Sequence, residues 1–329
     1  MDVDEKIKDI LKKDYLIHET KFKGQFDGFY QGKVRDNYIV KDKRILIATD
    51  RLSAFDRIIT SIPFKGQVLN MAAAFWFEKT KHVVPNYVIL VPDPNVIIGK
   101  ECKPLPVEMV VRAYITGSAW RSYENNPNKK ISGIVFKPNL VKNQKLDEPI
   151  ITPSTKAEIG MHDEEISREE IISRKIVPKS VYLQMEEYTF KLFEKGTEIA
   201  KKNGLILVDT KYEFGLDKDG NIVVIDEIHT PDSSRFWIAK SYDSLFAAKK
   251  EPEVLDKEFF REWLRTERNF TGDGPIPAVD ESVKIALCKK YLKNYELITG
   301  QQFDFNAIPE DVHPVTRIEK KLRELGYID

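Results

Sequence analysis

Apolar and polar residues alternate along this chain in two rhythms, and the changes of rhythm mark its elements. Residues 2 to 13 set charged against apolar positions at helical spacing, which predicts a short amphipathic helix. From Phe26 to Asp50 the rhythm is that of strands: Phe-Asp-Gly-Phe-Tyr, then Gly-Lys-Val-Arg-Asp-Asn-Tyr-Ile-Val, a Lys-Asp-Lys turn, and Arg-Ile-Leu-Ile-Ala-Thr-Asp. Val68 to Lys81 carries a Met, Ala, Phe and Trp face and reads as a helix, whereas Tyr87 to Val91 and Val107 to Tyr114 are apolar strands. Residues 124 to 160 are rich in Asn, Pro, Lys and Gly and predict a loop-dominated insertion. Glu164 to Arg174 and the long stretch Ser180 to Asn203 return to helical spacing. Beyond about residue 240 the pattern is charged amphipathic helix, broken by Thr271-Gly272-Asp273-Gly274-Pro275-Ile276-Pro277. No repeat is present. The expected class is α+β, with two sheet-containing lobes followed by helices.

Two apolar runs end in acid. Leu205-Ile206-Leu207-Val208 leads into Asp209-Thr210-Lys211-Tyr212-Glu213-Phe214-Gly215, and Ile222-Val223-Val224-Ile225 leads into Asp226-Glu227-Ile228-His229-Thr230-Pro231-Asp232-Ser233-Ser234-Arg235. The Asp219-Gly220-Asn221 between them is turn chemistry suited to a hairpin. Side chains alternate faces along a strand, so Asp209, Lys211 and Glu213 point the same way, and Asp226 or Glu227 can join them across the hairpin. One reading is that these acids solvate strand ends and pair with the lysine. The other is a cation or charged substrate among converging carboxylates, with the hydroxyls and guanidinium of Ser233-Ser234-Arg235 receiving an anion.

Composition narrows the choice. Lys+Arg and Asp+Glu both number 52, so no basic surplus favours nucleic acid or an anionic membrane surface. No apolar run approaches the roughly 20 residues of a membrane span, and no signal-peptide core opens the chain. Cys102 and Cys288 belong to no metal-spaced pattern and read as reduced thiols, which points to the cytoplasm. The five histidines are scattered singly, against a histidine metal centre.

Four further stretches carry charge where strands meet turns. Gly32-Lys33-Val34-Arg35 can close over a polyphosphate with two cations on one strand face, or be an ordinary turn; it lacks the spacing of a Walker loop. Thr49-Asp50-Arg51-Leu52-Ser53-Ala54-Phe55-Asp56 is either a helix cap by Asp50 or Ser53, or a substrate site. Glu108-Met109-Val110-Val111-Arg112 runs as a strand toward Thr116-Gly117-Ser118, where a helix start would offer free N–H groups to an anion. Thr152-Pro153-Ser154-Thr155-Lys156 places a lysine on a proline-fixed loop ahead of His162-Asp163.

Taken together these segments resemble, in order, the motifs of the phosphoribosylaminoimidazole-succinocarboxamide synthase (SAICAR synthetase) family. The two acidic segments resemble its signatures, and the residue 124–160 insertion and helical tail resemble its longer, yeast-like branch. No motif position departs from the pattern; beyond about residue 250 the likeness is loose and carries no functional residue. The resemblance implies a two-lobed, ATP-grasp-like α+β fold with C-terminal helices and ATP bound between the lobes. The expected divisions are 1–107, a lobe with the glycine hairpin; 108–250, the lobe with metal and substrate sites; and 251–329, the helical segment.

The implied activity joins L-aspartate to a carboxyaminoimidazole ribonucleotide at the expense of ATP, through an acyl phosphate, in purine biosynthesis. Gly32, Lys33 and Arg35 are implied to meet the triphosphate, Glu108 and Met109 the adenine, Lys156 and Lys211 the nucleotide, and Glu213 with Asp226 Mg²⁺. Arg112, Ser118, Ser234 and Arg235 are implied to hold the ribonucleotide, with Ser53, Asp56 and Asp232 also on the substrate side. Lys211, Glu213 and Asp226 form the implied catalytic set. Partners are these small molecules, with no nucleic acid or membrane, in a monomer or small homo-oligomer. A small-molecule or protein kinase is the rival enzyme, but His-Arg-Asp and Asp-Phe-Gly segments are absent. A nucleotide-binding regulatory module would not need the second, Arg/Ser anion pocket.

Overall fold

The computed structural model describes residues 2–156, 164–255, 258–305, 309 and 311–328; His162 and Asp163 lie outside them. The chain divides into two compact units, Met1–Phe75 with Val88–Glu101 and Asp256–Asp329, and Trp76–Tyr87 with Cys102–Leu255. Among the described residues helix and strand are mixed throughout both.

In the first unit, β1 (Gly28–Gln31), β2 (Arg35–Val40), β3 (Lys43–Ala48), β6 (Val88–Asp93) and β7 (Val96–Lys100) form an antiparallel sheet of order β1-β2-β3-β7-β6. Alternation puts Tyr38, Ile45, Ile47, Val96 and Ile98 into one core, which Ile318 and Leu322 of α9 (Pro314–Glu324) complete. A second core joins Val68, Leu69 and Ala72 of α2 (Lys65–Thr80) to Ile7 of α1 (Val3–Lys13), Phe260 and Leu264 of α7 (Glu258–Arg268), and Leu287 and Tyr291 of α8 (Glu281–Thr299). The C-terminal helices thus bury their apolar stripes against the first unit's own elements.

Residues 51 to 61 form a hairpin of β4 (Arg51–Ala54) and β5 (Arg57–Ser61). Asp50 does act as a cap, although on a helix distant in sequence: its carboxylate accepts the Ile17 N–H (2.8 Å) and the Gly66 N–H (3.0 Å) in the first turn of α2. Burial pushes this carboxyl up to about 6, partly offset by those two donors.

The second unit is built on β8 (Lys103–Ile115), β11 (Gln144–Ile151), β13 (Leu205–Leu216) and β14 (Ile222–Ile225), in the order β11-β8-β13-β14. β12 (Ser154–Thr155) pairs with β8, and β15 (Ser234–Ile238) pairs with β13. α5 (Lys179–Lys202) packs Tyr182, Met185, Leu192 and Phe193 inward, and its Tyr188 ring meets Phe214. α3 (Gly117–Asn125), α4 (Arg168–Ser173) and α6 (Ala239–Ala247) complete the unit, with the short pair β9 (Lys130–Ile131) and β10 (Ile134–Val135).

Two expectations need correcting. The 124–160 insertion is not loop throughout: Gln144–Ile151 is a strand of the main sheet. Its sequence, Gln-Lys-Leu-Asp-Glu-Pro-Ile-Ile, hides this because an edge strand can keep charge and proline on its free side. The helix expected over 164–174 starts only at Arg168, where Ser167 caps it: Ser167 accepts the Glu170 N–H, and the Glu170 carboxylate takes the Ser167 N–H.

Candidate active site

The acidic hairpin forms, with Glu213 opposite Ile225 and Leu216 opposite Ile222. Tyr212 and Phe214 are fully buried, and Tyr212 is also the partner of His229, so Asp209, Lys211 and Glu213 share the other face. β8 runs antiparallel beside them in a register that sets Glu108 opposite Glu213 and Arg112 opposite Asp209. Each two-residue step is about 7 Å, and along β13 it separates two differently charged clusters.

At the first cluster Lys211 Nζ lies 2.6 Å from Glu108 Oε1 and 3.2 Å from Glu213 Oε1. Lys156, just after β12, reaches Glu213 Oε2 at 2.5 Å. Two nearly buried glutamates facing each other across a ladder would repel; the two ammonium groups make the arrangement tolerable. Burial works against the Glu213 carboxylate, but Lys211 and Lys156 outweigh it and hold the group below its ordinary value. Burial likewise opposes charge on both lysines, and Glu213 foremost overrides it, raising each. Asp226 contributes to the field at both lysines. It follows β14 with φ 65°, and its carbonyl accepts the Tyr87 hydroxyl at 3.1 Å.

At the second cluster two guanidiniums share one carboxylate. Arg235 Nη1 donates to Asp209 Oδ2 at 2.6 Å, and Arg112 Nη1 stands 3.6 Å from the same oxygen. Arg112 also donates to Thr152 Oγ1 (2.8 Å) and Ser118 Oγ (3.2 Å). Gly117 opens α3 at φ 55°, and a Cβ there would sit 2.7 Å from Arg235 Nη2. The glycine therefore lets the Arg235 guanidinium reach the start of a helix, beside Ser118, where N–H groups point outward. Two arginines, a serine hydroxyl and a helix N-terminus make an anion pocket for a phosphate or carboxylate.

The segment Asp226–Ser233 links the two clusters. β14 covers the far half of β13 and β15 the near half, with Ser234 opposite Thr210 and Arg235 opposite Asp209. The segment is tied within itself: Thr230 Oγ1 donates to Glu227 Oε2 at 2.7 Å, and the Thr230 N–H donates to Ser233 Oγ at 3.0 Å. Asp232 N–H reaches Thr230 Oγ1 at 3.3 Å, and Ser234 shares a 2.6 Å hydrogen bond with Thr210. His229, fully buried at φ 53°, hydrogen-bonds the Tyr212 hydroxyl through Nε2 and packs at a tilt against the Trp76 ring, centroids 4.6 Å apart. Its place exists because residue 196 of α5 is glycine; a Cβ there would overlap the imidazole.

Glu108, Lys156, Lys211, Glu213 and Asp226 thus gather at one end and Arg112, Ser118 and Arg235 at the other, whereas Ser234, opposite Thr210 in the ladder, turns its hydroxyl to the sheet's other face. Met109 is fully buried, on the face away from Glu108. Gly32, Lys33, Arg35, Ser53 and Asp56 belong to the first unit. There Lys33 lies in the turn between β1 and β2, not on a strand as the two-residue spacing implies, and the turn closes with Gly32 N–H to Arg35 O at 2.7 Å. Its footing is Arg51, which donates to Gly32 O (2.9 Å), Lys33 O (3.1 Å) and His18 O (2.7 Å) and pairs with the buried Asp36 at 2.8 Å. The sequence carried no signal for that role, nor for Asp209 as the anchor of two arginines, because their partners are distant in the chain.

Among the described residues no group of three or more His, Cys, Asp or Glu is arranged to hold a metal ion. The hard oxygens of Glu213 and Asp226 nonetheless fit Mg²⁺, which is commonly held by one or two carboxylates and completed by substrate phosphates and water.

Comparison with known proteins gives a consistent result. The family model for SAICAR synthetase matches residues 28–275. The phosphoribosylaminoimidazole-succinocarboxamide synthase of Legionella pneumophila (strain Paris) is 46% identical over 288 residues, covering 86% of this chain and 91% of that protein. The enzyme of that name from Cytophaga hutchinsonii is 47% identical over 311 residues, covering 93% and 98%. Among solved structures, the SAICAR synthase of Saccharomyces cerevisiae complexed with SAICAR superposes with a TM-score of 0.76 at 32% identity, covering 88% of this chain and 99% of that one. A SAICAR synthetase in complex with ADP gives a TM-score of 0.64 at 28% identity, covering 84% and 100%. The fold is accordingly the ATP-grasp-like fold of those enzymes. This chain belongs to the SAICAR synthetase family.

Proposed function

We propose that this chain catalyses its family's reaction, the ATP-dependent ligation of L-aspartate to 5-amino-1-(5-phospho-D-ribosyl)imidazole-4-carboxylate, on the shared face of β8, β13 and β15. One observation carries this reading: a lysine–carboxylate cluster and a two-arginine anion pocket lie about two residues apart on β13. A transfer of phosphoryl from a nucleotide to a phosphorylated acceptor needs those two sites side by side.

A carboxylate does not condense with an amine until one of its oxygens becomes a leaving group. The acceptor carboxylate takes the γ-phosphoryl of ATP, giving an acyl phosphate and ADP. The aspartate amine then attacks the acyl carbon, an amide forms, and phosphate departs. Arg112, Arg235 and Ser118 are assigned to the ribonucleotide, and Ser234 and Asp232, from the segment leading into β15, are assigned to the same substrate. Lys211 and Lys156 are assigned to the nucleotide, where their charge offsets that of the moving phosphoryl group. Glu108 and the backbone of Met109 are assigned to its adenine end.

Glu213 and Asp226 would hold Mg²⁺, which supplies Lewis-acid neutralisation of phosphate charge when bound. In the first unit, Gly32, Lys33 and Arg35 are assigned to the triphosphate, and Ser53 and Asp56 to the substrate side. The proposed compartment is the cytoplasm, in keeping with the buried, reduced thiols of Cys102 and Cys288, and the proposed state is a monomer or small homo-oligomer. No helix among the described residues is long and apolar enough to cross a membrane.

Arg235→Ala tests the division of labour. Removing one of two guanidiniums from the anion pocket should raise the ribonucleotide KM about 10- to 100-fold, the scale of a lost charge-assisted contact, and leave the ATP KM within about twofold. A selective rise in the ATP KM would place Arg235 on the nucleotide instead.

A further inference from the structure

The β4–β5 turn is a two-residue turn, since Ala54 pairs with Arg57. Both of its central residues are left-handed, Phe55 at φ 51° and Asp56 at φ 59°. This is the backbone of a type I′ turn, which Asn-Gly adopts readily and a bulky phenylalanine does not. Such strain persists only where surrounding structure over-determines it, and it recurs at functional sites.

The surrounding structure here is C-terminal. Arg57 Nη1 donates to the carbonyls of Gly272 (3.1 Å) and Gly274 (2.5 Å), and its guanidinium lies 5.8 Å from the Phe270 ring. Phe55 meets Phe270 edge-on at 6.1 Å, and the Arg265 guanidinium lies 5.4 Å from the centre of the Phe55 ring. At Gly272, φ 120°, a Cβ would come within 3.1 Å of Phe55 Cβ, so the loop lies close against the turn. What this clamp presents is Asp56, exposed at the tip, with its carboxylate 2.5 Å from Lys33 Nζ on the glycine hairpin.

We propose that the C-terminal loop Phe270–Gly274 is a positioning element for the ligase reaction, and Arg57 its positioning residue: together they hold the strained β4–β5 tip so that Asp56 stands at Lys33 in one arrangement. The proposal rests on the assignment of Asp56 to the substrate side. It gives the tail, to which the family likeness carries no functional residue, a part in the reaction. It also explains why an Asn-Gly turn does not occupy this position, since glycine at 56 would relieve the strain and remove the carboxylate.

Three purified variants test it by steady-state kinetics and thermal unfolding. Asp56→Asn keeps a residue that tolerates the left-handed region and removes only charge; it should lose at least about tenfold in kcat/KM for the ribonucleotide with Tm unchanged. Arg57→Gln retains both the Asp56 and the Lys33 side chains but removes the clamp that fixes them; it should lose in the same kinetic parameter, by about five- to tenfold. The double variant should lose no more than Asp56→Asn alone, because both changes act through one carboxylate. Wild-type kinetics in Asp56→Asn would overturn the substrate-side assignment itself. An impaired Asp56→Asn beside an Arg57→Gln of lowered Tm but unchanged kinetics would overturn the brace alone, as would losses that multiply in the double variant.

Discussion

Glu213 carries more of the proposed chemistry than any other side chain. It lies between two ammonium groups, at 2.5 Å from Lys156 and 3.2 Å from Lys211, and both hold it ionised. Glu213→Gln removes one of the two carboxylates proposed to hold Mg²⁺ and keeps the shape. Turnover should fall by about 100-fold or more, roughly 2.7 kcal/mol of barrier, with unfolding still cooperative. Near wild-type turnover at limiting Mg²⁺ would remove Glu213 from the metal site.

His229 behaves oppositely. Burial pushes its imidazole down to about 3, far below the ~6.5 of an unfolded chain. As pH falls below ~6.5 the unfolded state takes a proton that the folded state refuses, so stability drops by up to about 1.4 kcal/mol per pH unit. Asp50, raised by burial to about 6, takes up a proton in the folded state first and works against that loss between about pH 6 and 4. His229→Gln removes only the histidine contribution. The variant should start less stable at pH 7 yet lose less Tm than wild type between pH 6.5 and 4.5; parallel losses would show that the imidazole is not held neutral. A histidine inside a signature segment invites a reading as catalytic base. Its lack of exposure and its Tyr212 partner point to a structural part, which spacing alone had no means of showing.

At the scale of elements, one helix and one segment are fitted through a missing side chain. Gly196 lies inside α5, where alanine should gain about 1 kcal/mol from helix propensity alone. A Cβ there would overlap the His229 ring, and overpacking a filled core costs typically 1–3 kcal/mol and occasionally more. The clash should win: Gly196→Ala is expected to lower Tm by about 2–4 °C. It should also lower kcat/KM, because His229 lies in the segment that carries Asp226 and Ser234. A raised Tm with unchanged kinetics would mean that the segment yields freely.

Elements that carry a strong apolar run are legible in the sequence: β3, β8, β13 and β14 follow from Ile, Val and Leu clusters, and α5 from its long period. β11 is not, because three of its eight residues carry charge on a free edge. β15 was hidden for a different reason. Ser234-Arg235 reads as the tail of a polar loop until its pairing with Thr210 and Asp209 is seen, and that pairing is what brings the anion pocket to the same strand as Lys211.

For the whole molecule, chain order and unit membership differ: the helices α7, α8 and α9 come last and belong with the first residues. Burial of Phe260, Leu264, Leu287 and Tyr291 against α2 and the β4–β5 hairpin explains this, and no local pattern encodes which face an amphipathic helix will meet. The family motifs, by contrast, were legible because each is a run of specific residues, and they placed most of the charged side chains that the second unit gathers on β8 and β13. The central claim is that this gathering joins two substrates at the expense of a third. Purified protein supplied with ATP, Mg²⁺ and the carboxyaminoimidazole ribonucleotide, with and without L-aspartate, tests it most directly. Sustained ADP release is expected only when aspartate is present, in step with formation of the succinocarboxamide product. Sustained ADP release that ignores aspartate, or none with all substrates present, would contradict it.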